Sequence, residues 1–304
     1  MRTMIGLCMA FASSAAMAAT DVSPIVPAAD RAVTGPRALH LAVPQTQIET
    51  SIDIGRVAPA AQGGGLIGAL IIESRDDRAK LLAQSQQDQA EAAVVPLRAA
   101  LRDFDVDGLA LATTRAALSR TTWFQAQPFT VARDASPQGR AAFLEASATP
   151  QTAFVTYRYA LSPDFTYIRV NADIALARKP AAGSPKGAAP FHPFYEQHIA
   201  SVVLLRSRSY EHRDNVASWS ADNGKLARAS LTAAFGQIEK LIPYALGLSD
   251  ADLRLYTAKN REKAFGAGFY GPLIQRDEGS DGLLLWSNGL VHVQSTPPAQ
   301  ATPG

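Results

Sequence analysis

Two histidines and a glutamate lie close together in the second half of the chain. Glu196 and His198 share one face of a predicted strand, and His192 precedes it. Imidazole and carboxylate groups at this spacing are able to transfer protons or bind a metal ion. Alternatively, they are polar side chains of a surface strand. A concave pocket that collects two or more of them, or that joins them to Asp173 or Arg158, would favour catalysis.

The chain lacks the local motifs of the common hydrolase classes. It contains neither the H-E-x-x-H pattern of zinc hydrolases nor the G-x-S-x-G pattern that surrounds a nucleophilic serine. If the protein is a hydrolase, its catalytic residues must therefore come from separate parts of the fold.

Four arginines form a second candidate site, for binding an anion. Arg158 and Arg169 are predicted to stand directly opposite each other across a hairpin, and Arg206 and Arg208 lie on one face of a later predicted strand. Like charges in opposite positions are unfavourable unless an anion lies between them. The pattern predicts a face that binds a lipid headgroup, a glycan or an acidic partner. The alternative is that the arginines point into water or reach nearby carboxylates.

A third candidate site resembles the first half of a calcium-binding loop. Asp103, Asp105 and Asp107 occupy alternate positions ahead of a glycine, and helical sequence flanks them on both sides. The position that normally carries a bidentate glutamate is occupied by Thr114, so any calcium affinity is expected to be weak. The alternative is a helix–helix turn whose aspartates cap the helix Leu109–Arg120. Calcium is the one cofactor that the sequence suggests.

A glycine-rich segment, residues 62–72, is a candidate contact surface for a membrane or a partner protein. Its glycines satisfy the G-x-G-x-x-G pattern of dinucleotide sites, but five residues separate them from the preceding predicted strand, and the pattern recurs at 266–271. On a helix, small residues in one row would allow close approach to another backbone. The alternative is a loop that leads into a buried helix. The predicted contact residues are Gly64, Gly65, Leu66, Gly68 and Leu70.

The N-terminus has the three parts of a secretory signal peptide. Arg2 provides a positive start, Met4–Met17 is a short apolar run, and Ala16-Met17-Ala18 is a small-residue cleavage site. We expect residues 1–19 to be removed and the protein to be exported, to the periplasm or to the periphery of the cell envelope. The only cysteine, Cys8, lies in this segment, which excludes disulfides and thiolate metal sites from the mature chain.

Charge and hydropathy exclude two classes of function. The formal net charge is +2, without a basic cluster, which argues against a nucleic-acid-binding surface. No apolar run is long enough to cross a bilayer, so we predict no transmembrane span, although peripheral membrane contact is compatible with the sequence.

The predicted elements describe an α+β protein. Residues 152–178 form a hairpin around the turn Ser162–Phe165, residues 283–293 form a second hairpin around Asn288-Gly289, and residues 194–210 form a long strand. Helices are predicted over residues 76–120, with an interruption, and over 220–242, ending at Pro243. We expect an antiparallel sheet, built from the two hairpins and the long strand, that packs against helices on one face.

The domain organisation expected from the sequence is simple. A disordered leader (20–38) precedes a single domain (39–294) with a flexible loop at 179–193, and a disordered tail (295–304) follows. The function favoured by the sequence is a non-catalytic binding or assembly module of the envelope, whose partner is a protein or an anionic envelope component. The alternatives are an exported hydrolase and a calcium-stabilised structural module.

Overall fold

The computed structural model describes residues 22–50, 88–179, 191–259, 261–263 and 268–296. The predicted signal peptide, the glycine-rich segment 62–72 and most of the predicted loop 179–193 lie outside the described residues, as does nearly all of the predicted C-terminal tail.

Six helices and ten strands have both ends within the described residues. The helices are α1 (Ala28–Arg31), α2 (Val95–Ala100), α3 (Val106–Ser119), α4 (Pro137–Ala146), α5 (His212–Gly247) and α6 (Asp250–Ala258). The strands are β1 (Arg37–Ala42), β2 (Glu49–Thr50), β3 (Ala126–Ala132), β4 (Gln151–Leu161), β5 (Tyr167–Arg178), β6 (Tyr195–Leu204), β7 (Arg261–Lys263), β8 (Tyr270–Arg276), β9 (Leu283–Trp286) and β10 (Leu290–Ser295). Residues 88–93 are also helical and lead into α2.

The strands form one mixed sheet in the order β3-β1-β4-β5-β6-β10-β9-β8-β7, with β2 beside β4. The α+β class is confirmed, but the prediction of a purely antiparallel sheet is wrong. Strand β1 runs parallel to both β3 and β4, and β6 runs parallel to β10. Parallel neighbours require crossover connections, which usually contain helices. The sequence patterns identified the hairpins, but not these long-range pairings.

Helices cover both faces of the sheet, so the expectation of helices on one face is also wrong. On the first face, α2, α3 and α5 pack over the alternating apolar residues of β4, β5 and β6. On the second face, Phe143 and Leu144 of α4 pack against Phe154 and Ala175. Helix α4 connects β3 to β4, and this crossover brings a helix to the second face.

The β4–β5 hairpin is confirmed, but its register differs from the prediction by two residues. Leu161 pairs with Ile168, and Arg158 pairs with Asn171 instead of Arg169. The cause is the turn: Phe165 adopts a left-handed conformation with φ of 56°, and the amide of Ser162 donates to the carbonyl of Tyr167. A shift of two residues keeps every side chain on its predicted face.

Helix α5 continues beyond Pro243, where the sequence predicted its end, to Gly247. Residues 221–224 depart from helical geometry and divide it into two helical segments. The last turn is stabilised by packing, since Ala245 and Leu246 are fully buried. Burial of these apolar side chains offsets the hydrogen bond that the proline removes.

Residues 22–38, expected to be a disordered leader, contain α1 and the first residues of β1. Asp30 is buried and accepts hydrogen bonds from Arg178 Nε at 2.8 Å and from Gln151 Nε2 at 2.9 Å. Arg37, 1% exposed, donates to Gln151 Oε1 and to three backbone carbonyls. This polar network attaches the segment to the sheet, because buried charged groups are stable only when they are paired.

Candidate functional site

An open cleft of about 560 Å³ lies on the second face of the sheet. Its floor is formed by 173–175 of β5 and 196–198 of β6. Arg140 of α4, Pro24 of the N-terminal segment and the β9–β10 turn at Asn288-Gly289 form its walls. A volume of this size is within the range of small-molecule sites.

Asp173 and His198 form a hydrogen-bonded pair in the floor of the cleft. The two residues are directly opposite in the β5–β6 register, and His198 Nδ1 lies 2.5 Å from Asp173 Oδ1. Because an ionised carboxylate only accepts hydrogen bonds, Nδ1 carries the proton and donates it. When the imidazole is neutral with its proton on Nδ1, Nε2 is the atom that accepts a proton. Both side chains are accessible from the cleft, since the side chain of His198 is 40% exposed and that of Asp173 is 46% exposed.

Glu196 provides a second carboxylate beside this pair. It lies two residues before His198 on the same face of β6, and its side chain is exposed. Its amide donates to the carbonyl of Ser23 at 3.0 Å, which holds the N-terminal segment and Pro24 at the edge of the cleft. Glu196 lines the cleft, and its carboxylate makes no ion pair within the described part of the chain.

Arg140 supplies a positive charge on the opposite wall. Its Nη2 donates to Thr156 Oγ1 at 2.9 Å, and its guanidinium lies 5.5 Å from the ring centre of Phe191. Its Nε is buried without a hydrogen-bond partner among the described residues, and no carboxylate there forms an ion pair with it. Thr156 is directly opposite Asp173 in the register, so this cation lies one strand away from the His198–Asp173 pair.

The β9–β10 turn closes the cleft through very close backbone contact. Gly289 has φ of 137°, and a Cβ atom at this position would lie 2.3 Å from the carbonyl oxygen of His198. Asn288, with φ of 51°, precedes it in the turn. Only glycine permits this approach, so the Asn-Gly turn predicted from the sequence also forms part of the cleft wall.

His40 lies behind Arg140 on the same face of the sheet. Its ring packs edge-on against Phe143, with centroids 4.9 Å apart. Burial lowers the pKa of His40, and the positive charge of Arg140 lowers it further, whereas Asp134 acts in the opposite direction. His40 is therefore a neutral, aromatic part of the packing that supports α4, and it does not line the cleft.

A second histidine–aspartate pair, His292 and Asp277, has a buried histidine and a partly exposed aspartate. His292 Nε2 lies 2.9 Å from Asp277 Oδ2, while the side chain of His292 is only 3% exposed. Ser201, opposite His292 in the β6–β10 register, is completely buried. A substrate has no access to the buried imidazole of His292 or to the hydroxyl of Ser201, so this pair has a structural role.

The histidine cluster predicted from the sequence is partly assembled. Glu196 and His198 line the cleft together with Asp173, whereas His192 is exposed and does not line it. The sequence pattern missed Arg140, because its position in the cleft depends on the crossover helix α4. A local sequence signal for the start of α4 was present, namely a serine followed by a proline. In the structure, Ser136 is the N-cap and accepts a hydrogen bond from the amide of Gly139.

The four predicted arginines do not form one continuous strand face. Arg158 and Arg169 project from the second face of β4 and β5 as diagonal neighbours, with Arg169 opposite Ala160. Arg206 and Arg208 lie beyond the end of β6, in an exposed loop. The prediction of direct Arg158–Arg169 opposition is therefore wrong, since the longer turn shifts the register.

The aspartates of the predicted calcium loop have separate protein partners. Asp105 caps α3 by accepting from the amide of Gly108 at 2.8 Å, as the alternative interpretation proposed. Asp103 pairs with Arg228, and Asp107 pairs with Arg133. Across the described residues, no group of three or more His, Cys, Asp or Glu side chains is arranged to hold a metal ion.

The length and the hydropathy of the described helices are relevant to the predicted absence of a transmembrane span. None of them combines the length and the hydropathy that a transmembrane span requires. This finding is consistent with the prediction that the chain lacks a transmembrane span.

Comparison of the chain with known protein families, curated proteins and solved structures finds no match.

Proposed function

We propose that the protein is an exported hydrolase whose active site is the cleft around His198. The sequence favoured a non-catalytic binding module, with a hydrolase as an alternative. The hydrolase now has the stronger support, because one cleft gathers Asp173, Glu196 and His198. Export remains a proposal that depends on the signal-peptide pattern of residues 1–19.

In the proposed reaction, His198 is the general base that activates a water molecule. Asp173 holds the proton on Nδ1, so that Nε2 accepts a proton as the water oxygen attacks an ester. The protonated imidazole then donates this proton to the leaving oxygen. Arg140 stabilises the negative charge that develops on the attacked group, and Glu196 accepts a hydrogen bond from the substrate or from the attacking water.

The observation that carries the proposal is the contrast between the two histidine–aspartate pairs. His292 pairs with Asp277 and its own side chain is buried, as expected for a structural histidine. His198 is paired in the same way, but it lies in a cleft beside Glu196 and Arg140, neither of which forms an ion pair with the residues that the structure describes. Convergence of a base, its orienting carboxylate and a cation in one concavity is typical of a catalytic site.

The test is hydrolysis of a panel of p-nitrophenyl esters by the mature protein. The panel contains a carboxylic ester, a phosphate monoester and a phosphate diester. We expect at least one of them to be hydrolysed, and His198→Ala to lower the rate by about 100-fold or more. His192→Ala is the matched control, since His192 is near in sequence but outside the cleft, and we expect it to retain full activity.

Two results would contradict the proposal. The first is no hydrolysis of any ester in the panel by folded protein. The second is hydrolysis that His198→Ala and His192→Ala reduce equally, which would indicate that the imidazole of His198 has no special role.

A further inference from the structure

Arg158 lies outside the lining of the cleft but on the same face of the sheet. It lies two residues after Thr156 on the same face of β4, which places the two Cα atoms about 6 to 7 Å apart. Its side chain is exposed, and it forms no ion pair or hydrogen bond with the described residues. Arg140 is fixed on Thr156 Oγ1, so its guanidinium lies on β4 two residues from the position of Arg158.

The charges on this face are separated into two ends. Glu196 lies on β6, two strands away from Thr156. Thr156, Asp173 and His198 form one row across the sheet, and Glu196 and Arg158 lie on opposite sides of this row. Asp173, the carboxylate nearest to the arginines in the register, already accepts the Nδ1 proton of His198. An anionic group is therefore attracted to the Arg140–Arg158 end and repelled from the Glu196 end.

We infer that the substrate is a phosphate ester, with its phosphate group bound between Arg140 and Arg158. This inference depends on the proposed hydrolase function. Two guanidinium groups suit a tetrahedral dianion, because each presents a planar fork of donors to a pair of phosphate oxygens. Neither arginine has a carboxylate partner among the described residues that a ligand would need to displace.

In this inference, the phosphate group reaches the base that the hydrolase proposal assigns across β5, which separates Thr156 from His198. The water oxygen forms a bond to phosphorus, its proton passes to His198 Nε2, and the phosphorus–oxygen bond to the alcohol breaks. The protonated His198 returns the proton to the leaving oxygen, so the products are phosphate and the alcohol. Arg140 and Arg158 neutralise the charge on the other phosphate oxygens throughout the reaction.

The test is calorimetric titration of the mature protein with inorganic phosphate, a probe that requires no turnover. We expect saturable binding that Arg158→Ala weakens by at least about tenfold. Arg158→Lys keeps the charge but loses the bidentate geometry, so we expect intermediate binding. Arg208→Ala is the matched control, because Arg208 is also exposed but lies in the loop beyond β6, and we expect unchanged binding.

The outcomes separate this inference from the hydrolase proposal. Absence of phosphate binding in the folded protein overturns the inference, as does an equal loss in Arg158→Ala and Arg208→Ala. In that case, ester hydrolysis that depends on His198 would still support the hydrolase. If phosphate binds through Arg158 but no ester in the panel is hydrolysed, the anion site stands and the catalytic proposal fails.

Discussion

His198 Nδ1 lies 2.5 Å from Oδ1 of Asp173, directly across the β5–β6 register. The register brings the two side chains together, and for a neutral imidazole the hydrogen bond favours the tautomer in which Nε2 is unprotonated. The sheet therefore orients a proton acceptor toward the cleft, although Asp173 and His198 are 25 residues apart in the chain.

Asp173→Asn tests whether this orientation matters. An amide has both a donor and an acceptor, so it permits the wrong tautomer of His198, with the proton on Nε2. We expect ester hydrolysis to fall by about 100-fold or more, with little change in substrate affinity. Steady-state kinetics would measure this as a loss in kcat. A change confined to KM would instead indicate that Asp173 only contacts the substrate.

Gly289→Ala tests the close contact that forms the cleft wall. The added Cβ would lie 2.3 Å from the carbonyl of His198, so the turn or β6 must move. Gly279→Ala is the matched control, since Gly279 also has a positive φ, of 73°, but no atom within 4 Å of the added Cβ. We expect the control to lose about 1 to 2 kcal/mol of stability and to keep its activity.

For Gly289→Ala, we expect a larger loss of stability together with reduced hydrolysis. Urea denaturation and ester kinetics on both variants would measure the two effects. Equal behaviour of the variants would mean that backbone strain alone matters, and that the contact with His198 does not shape the cleft.

The sequence patterns predicted local structure better than they predicted pairing between distant segments. Alternation in the β4–β5 hairpin identified which residues face the helices, because Val155, Tyr157 and Tyr159 are indeed on one buried face. The register was wrong by two residues, since the left-handed Phe165 is not one of the residue types that usually signal such a turn. The parallel pairing of β1 with β4 was missed because no local pattern encodes it.

In the candidate site, too, the sequence predicted the residues whose placement is local and missed those placed by tertiary contacts. Glu196 and His198 were identified because they alternate on one strand, where spacing alone determines their face. Arg140 comes from a crossover helix and Pro24 from a segment expected to be disordered, and each reaches the cleft only through tertiary contacts. The folding of that segment depends on the burial of Asp30 and Arg37, two charged residues that a sequence pattern assigns to the surface.

Arg37→Met tests the polar network that attaches the N-terminal segment. The substitution leaves Gln151 Oε1 and the carbonyls of Asp30, Val33 and Trp123 without their donor. We expect the free energy of unfolding in urea to fall by about 3 kcal/mol or more, because unpaired buried acceptors are costly.

The control for this network is Arg102→Met, at an exposed arginine, which should change the free energy of unfolding little. Similar losses in both variants would show that loss of a positive charge, and not loss of the buried hydrogen bonds, is responsible.

Asp105 allows the helix-cap and calcium interpretations to be compared. Asp105→Ala removes the acceptor for the amide of Gly108 and should lower stability by about 1 kcal/mol, whereas Asp105→Asn should retain most of it. Because Asp103 and Asp107 are paired with arginines, we expect millimolar Ca²⁺ to leave the melting temperature of both the parent protein and Asp105→Asn unchanged. A rise in the parent that Asp105→Asn abolishes would favour the calcium site.

His292 should make the stability of the protein depend on pH. Burial lowers its pKa in the folded state, and the charge of Lys240 acts in the same direction, whereas Asp277 and Asp281 raise the pKa without restoring it to the ordinary value. The unfolded chain therefore binds a proton at a higher pH than the folded chain does.

The contribution of neutral His292 to the free energy of unfolding is fully present above about pH 6.5, the ordinary pKa of histidine. It is lost as the pH falls from there toward the pKa of His292 in the folded state. His292→Gln removes the titrating group, so we expect a shallower decline in the free energy of unfolding below neutral pH. Some decline remains, because His40 also has a lowered pKa and contributes with the same sign. Urea denaturation at a series of pH values would measure both curves, and parallel curves would mean that protonation of His292 is not what destabilises the fold in acid.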